Sequence, residues 1–149
     1  MKNLRLSQYL LLFLALVNQI TANAASPGFD SIRIKVGFTS YQVEVAATTE
    51  QRRLGLMFRE KLDRDKGMLF VYAQSGDHRI WMKNTLIPLW VIWIDETFRV
   101  TSIQRLEPCT TSQCMVYSAS AASRYILELG DFPHSIKLDD QVMGIDHLD

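Results

Sequence analysis

The chain has no apolar run long enough to cross a bilayer as a helix. The stretch Tyr9 to Val17 near its start would reach only about 13 Å at ~1.5 Å per residue, against a hydrocarbon core of ~30 Å. It also has no basic excess, with 16 basic and 16 acidic residues. Binding to a phosphate backbone needs a concentrated basic face, so nucleic acid is not an expected partner. With two cysteines and no patterned histidine pair, it falls short of the four-ligand set that zinc prefers. No metal, cofactor or catalytic set is therefore expected. There is no Gly-x-Ser-x-Gly elbow, and His78, His134 and His147 fall in expected turns and the tail. Internal repeats and low-complexity segments are absent too.

What is present begins with Lys2 and Arg5 ahead of the apolar run, followed by Ala22-Asn23-Ala24. A positive start, a short apolar core and a small-x-small site make up a secretory signal. Cleavage is expected after Ala24, with no cysteine at the cut to carry a lipid. The expected organisation is a signal at 1–24, a linker at 25–30 and one globular domain at 31–149. The mature product is then exported, periplasmic or extracellular, and keeps no stable membrane span. Losing Lys2 and Arg5 tips its formal charge to slightly acidic.

Both cysteines sit in Pro108-Cys109-Thr-Thr-Ser-Gln-Cys114. Outside the reducing cytoplasm, two nearby thiols are expected to pair. The loop is short, so closing it constrains the unfolded chain by roughly 2 kcal/mol. A redox-active pair is a rival reading, but such pairs favour Cys-x-x-Cys at a helix start.

Ile32, Ile34 and Val36 alternate with Arg33 and Lys35, and Tyr41, Val43 and Val45 alternate with Gln42 and Glu44. Period two across a gap of hairpin length predicts two paired strands. Thr48 and Gln51 then offer a capping box, and Leu54, Met57 and Phe58 predict the apolar face of a brief helix weakened by Gly55. Arg59 to Lys66 mixes charges as a solvated loop does. Gly67–Ala73, His78–Met82, Leu89–Ile94, Phe98–Leu106, the segment around Tyr125–Leu129 and Gln141–Ile145 predict further strands, with a bulge near Thr101-Ser102. The expected fold class is α+β, mostly antiparallel: a strand-rich curled sheet or partial barrel with one or two short helices.

Several of these segments together resemble the domain of unknown function 192 family. They are Gly55-Leu-Met-Phe-Arg59, Gly67-Met-Leu-Phe70, Trp81-Met-Lys-Asn-Thr85 with Pro88-Leu89, Val43–Ala46, Pro108-Cys109 and Tyr125–Leu129. The resemblance spans about residues 32–145 and implies a compact, strand-rich α+β fold, often exported. It implies no reaction. Three positions depart from the family pattern: Trp90 stands where it has Asp, Phe98 where a turn has Gly, and Asp139-Asp140 where it has Gly-Asp.

The polar insert Trp81-Met82-Lys83-Asn84-Thr85 can rim a pocket, with Trp81 as a stacking wall and Lys83, Asn84 and Thr85 beside it. It can equally be a core tryptophan beside an asparagine turn. Arg59 suits a carboxylate or phosphate, or an internal pair with Glu44, Asp95 or Glu128. Asp95 with Glu107 or Glu128 could supply the two acids of a glycoside hydrolase. Met57, Met68, Met82, Met115 and Met143 mostly read as core filler. The favoured expectation is an exported binding or accessory module for a small molecule, peptide or envelope protein, using Arg59, Trp81, Lys83, Asn84 and Thr85. A hydrolase of envelope material working through Asp95, and a thiol–disulfide role for Cys109 and Cys114, are the alternatives.

Overall fold

The computed structural model describes residues 28–131 and 133–148. The expected signal segment lies outside the described residues. The elements are β1 (Asp30–Val36), β2 (Thr39–Ala46), α1 (Thr49–Leu54), β3 (Lys66–Gly76), β4 (Ile80–Trp81), β5 (Leu89–Ile94), β6 (Val100–Leu106), β7 (Val116–Tyr117), β8 (Ser123–Leu129) and β9 (Val142–Met143). β1 opens at Asp30, inside the expected linker, and the Gly28 carbonyl just before it accepts from Gln51 Nε2 at 2.6 Å.

Seven strands form one sheet in the order β6-β5-β8-β3-β2-β1-β9, and β4 pairs with β7 beside it. The sheet is mixed, because β2 and β3 run parallel while the other neighbours run antiparallel. A parallel pair needs a long crossover, and α1 with the loop after it supplies one. The single helix of the described residues spans six residues, so the α+β label fits loosely and the strand-rich curled sheet fits well.

The curl brings the two sheet edges together at one end. The Val142 amide donates to the Phe98 carbonyl at 2.8 Å, Asp139 to Val100 at 2.9 Å, and Val100 to Asp140 at 3.0 Å. Phe98 and Asp139 at this seam have φ of 64° and 68°, the left-handed region that glycine enters without strain. These are two of the three departures noted above. The third, Trp90, packs its indole against the apolar interior. The expected bulge is real: Trp93 faces Ser102 while Ile94 faces Val100, leaving Thr101 unpaired.

Strand alternation divides the core in two. Val43, Val45, Leu69, Ile92, Ile94, Tyr125, Leu127 and Leu129 point into the curl with Ile34, Val36 and Val142. Met68, Phe70, Val91, Trp93 and Ile126 point outward, and are covered by Leu56, Ile80 and Met82. The cleft lined by Trp81, Lys83 and Asn84 lies on that outer side.

Candidate functional site

The helix that covers the outer face is built by its caps. Thr48 Oγ1 accepts from the Gln51 amide at 3.2 Å, and Gln51 Oε1 accepts from the Thr48 amide at 3.0 Å, completing the capping box. The helix then stops earlier than its apolar spacing predicts, before Met57 and Phe58. Gly55 takes φ 51°, and its amide still donates to the Gln51 carbonyl at 2.8 Å. A Cβ there would lie 3.2 Å from Phe70 Cζ, so a side chain would be both strained and crowded. Gly55 is a terminator here, and the chain beyond it turns Met57 and Phe58 outward.

Phe58 itself has φ 64°, and Asn84, across from it, has φ 55°. The Phe58 amide donates to the Asn84 carbonyl at 2.8 Å, locking two left-handed residues together. Such conformations cost of order 1 kcal/mol or more each and persist only where surroundings enforce them. Here they hold Phe58 63 % exposed beside Trp81, which is 43 % exposed. Between these rings opens a cleft of about 290 Å³, lined by Arg53, Leu54, Met57, Phe58, Trp81, Lys83 and Asn84. Lys83 Nζ sits 5.2 Å above the Trp81 ring. The Arg53 side chain has no hydrogen bond or ion pair among the described residues.

The disulfide braces this rim. Cys109 and Cys114 are bonded, the Asn84 amide donates to the Cys109 carbonyl at 2.8 Å, and the Cys109 amide donates to Met82 at 3.2 Å. Backbone bridges join Cys109 to both Lys83 and Thr85. The structural reading of the cysteines thus acquires a purpose: the closed loop clamps the Lys83–Thr85 turn.

Of the five residues singled out from sequence, Trp81, Lys83 and Asn84 share the cleft. Thr85 lies deeper and is only 4 % exposed. Arg59 stands apart: it forms a two-pronged pair with Glu44, Nη1 to Oε1 at 2.7 Å and Nη2 to Oε2 at 2.6 Å, and faces a different depression. The carboxylate candidate Asp95 is consumed by a turn, its Oδ1 accepting from the Thr97 amide, the Thr97 hydroxyl and the Arg99 amide. Glu107 pairs with Arg105 on the surface.

The residue that sequence reasoning undervalued is Glu128. It is 4 % exposed on the central strand β8, in register with Met68 on one side and Val91 on the other. Burial alone pushes its carboxyl up to about 8, because an apolar setting disfavours the charged form. Behind Trp81, an inner chamber of about 30 Å³ is walled by Arg52, Arg53, Leu54, Met57, Trp81, Thr85 and Glu128 among others. The signal was available: Ile126 shares the Glu128 side of the strand, so that side was never a wet one.

The family model for the domain of unknown function 192, described as an uncharacterized ACR, matches residues 32–142. No curated protein matches the chain. A solved structure from Sinorhizobium meliloti 1021, provisionally designated a transcription regulator, superposes with a TM-score of 0.72 at 25 % identity, covering 79 % of this chain and 96 % of that one. A protein of unknown function from Novosphingobium aromaticivorans DSM 12444 gives 0.69 at 26 % identity, covering 82 % and 95 %.

Proposed function

The chain belongs to the domain of unknown function 192 family, and on that premise we propose that it is an exported, non-catalytic binding module. Its cleft takes a small molecule or a peptide end with an apolar or aromatic body. One observation carries this reading. The hydrogen-bonded left-handed pair Phe58 and Asn84 holds exposed aromatic rings beside the cationic side chains of Arg53 and Lys83, and strained backbone of this kind clusters where ligands are gripped. The cleft volume lies at the lower end of the roughly 300–1,000 Å³ usual for small-molecule sites.

Export is supported by the signal pattern at the start of the sequence and by the closed Cys109–Cys114 bond. None of the described helices is long and apolar enough to cross a membrane. The hydrolase alternative is not better supported, since Oδ1 of Asp95 accepts three hydrogen bonds of its own turn and Glu107 pairs with Arg105. A thiol-cycling role is not favoured either, because the disulfide already serves to hold the rim.

Tryptophan fluorescence of the mature protein, titrated with a panel of small aromatic and aliphatic compounds, tests the reading. Trp81→Ala is expected to weaken any ligand by about tenfold through lost ring contact. Ligands that bind Trp81→Ala and Phe58→Ala as tightly as the parent protein would contradict it.

A further inference from the structure

We infer that the inner chamber behind Trp81 is a polar subsite for a carboxylate, so that the ligands of the cleft are small acids with an apolar or aromatic body. This rests on the cleft being a binding site and adds the chemical class of what it binds.

The first support is the distribution of buried polarity. Among the described residues three buried side chains are polar, Thr85, Ser123 and Glu128, and two of the three line this one small chamber. Buried polar groups without a structural task are costly. Glu128 has none that the strand requires, since Met68 and Val91 flank it and both are apolar.

The second support is continuity. The chamber and the outer cleft share Arg53, Leu54, Met57 and Trp81 as walls. A ligand body lying between Phe58 and Trp81 would direct its end inward past Arg53. At about 30 Å³, the chamber admits roughly one water-sized group, the size of a carboxylate oxygen and not of a whole ring.

The third support is charge. Arg52 and Arg53 of α1 line the chamber, Arg52 with its guanidinium held by the Val71 and Ala47 carbonyls, and Lys83 lines the cleft outside it. Positive walls repel an ammonium group and attract a carboxylate. A glutamate on the floor of an anion site fits only if it is neutral. With its proton on, the Glu128 hydroxyl donates to a ligand oxygen while Arg53 supplies the balancing charge. Its setting favours that form, since burial raises the carboxyl to about 8.

The other ionisable groups around Glu128 leave this picture intact. On β3, Tyr72 is raised above the ordinary phenol range, by burial first, and so stays protonated. Arg52 sits 5.0 Å from the Tyr72 ring. On β8, Arg124 donates to the Tyr72 carbonyl at 3.3 Å. Two strands away, Glu44 is held by Arg59. His78 stacks on Tyr72 with ring centroids 3.6 Å apart, and β5 places the apolar Val91 beside Glu128.

The test uses 3-phenylpropionate, its amide and 3-phenylpropylamine as probes of equal body and different end. Calorimetry gives the affinities, and amide and indole NMR shifts locate the binding. The acid is expected to bind at least about tenfold tighter than the amine and to shift Trp81 and Thr85. Its affinity is expected to fall about tenfold between about pH 6.5 and about pH 9.5, and to become independent of pH in Glu128→Gln. A tripeptide ending in phenylalanine is the companion probe; its binding, or that of the free acid alone, tells which source of carboxylate the site takes. Cleft binding with the amide or amine as tight as the acid, or a pH dependence that survives in Glu128→Gln, would overturn the chamber inference alone. Silence of the cleft to all four probes would remove the cleft reading with it.

Discussion

The two sides of the one sheet obey different rules. The side inside the curl is sealed: Ile92, Ile94, Tyr125 and Leu127 are fully buried, and every buried residue of that cluster apart from the tyrosines is aliphatic. The outer side is built from the same strands, residue by alternate residue, yet it admits Glu128, the Glu44–Arg59 pair and a solvent-open cleft. Strand alternation assigns the inner positions to stability and frees the outer ones for chemistry. One residue step along β8, from Leu127 to Glu128, crosses from one regime to the other.

The largest expected effect separates the sides by pH. Glu128 is raised from 4.5 to about 8 in the fold, so between those values the folded chain holds a proton that the unfolded chain has lost. Stability is therefore full below the lower value, falls as pH rises through the window and is flat above it. The total loss is at most about 5 kcal/mol. Denaturant melts of the parent protein and of Glu128→Gln across pH 4–9 should diverge accordingly, with the variant nearly flat. Parallel curves would mean that the outer side is as wet as an ordinary surface.

Next comes truncation inside the curl. Leu127 is fully buried, and Leu127→Ala is expected to cost about 3–4 kcal/mol with no dependence on pH over that range. Urea midpoints measure it. Removing the Cys109–Cys114 bond by double substitution to serine should cost about 2 kcal/mol. It should also weaken cleft binding more than its stability cost would suggest, because the bond clamps the Lys83–Thr85 turn. The smallest effect belongs to the seam. Asp139 is exposed with φ 68°, and Asp139→Gly should stabilise by about 0.5 kcal/mol as relief of backbone strain outweighs the freer unfolded chain. Phe98→Gly at the other left-handed seam position should not, because its ring packs 5.7 Å from Tyr125.

Much of the inner side was legible from sequence. Tyr41, Val43 and Val45 announce it by strict alternation, the Thr48–Gln51 box marks the helix start, and the slip at Thr101 marks the bulge. These signals are local, each written within a few residues. The cleft was legible only in part. Trp81, Lys83 and Asn84 stand together in the chain, so their meeting needs no fold. Phe58 joins them because the chain leaves the helix at Gly55, and Arg53 because α1 lies over the outer face of the sheet, neither of which is written in local spacing. Arg59 pairs across to β2, a partner that spacing alone left open among three acids. Glu128 entered from sequence only as a partner for Arg59 or Asp95, although the apolar Ile126 on its side of the strand argued for burial. Long-range packing decides such cases, and sequence periodicity does not carry it.

The central claim is an uncharged carboxyl in the small chamber behind Trp81. Carboxyl carbon NMR of the protein, with the Glu128 resonance assigned by comparison with Glu128→Gln, reads that state directly. The account predicts a single proton lost near pH 8, with the group neutral through the acidic and neutral range. A Glu128 resonance that titrates near 4.5, the ordinary carboxyl value, would contradict it.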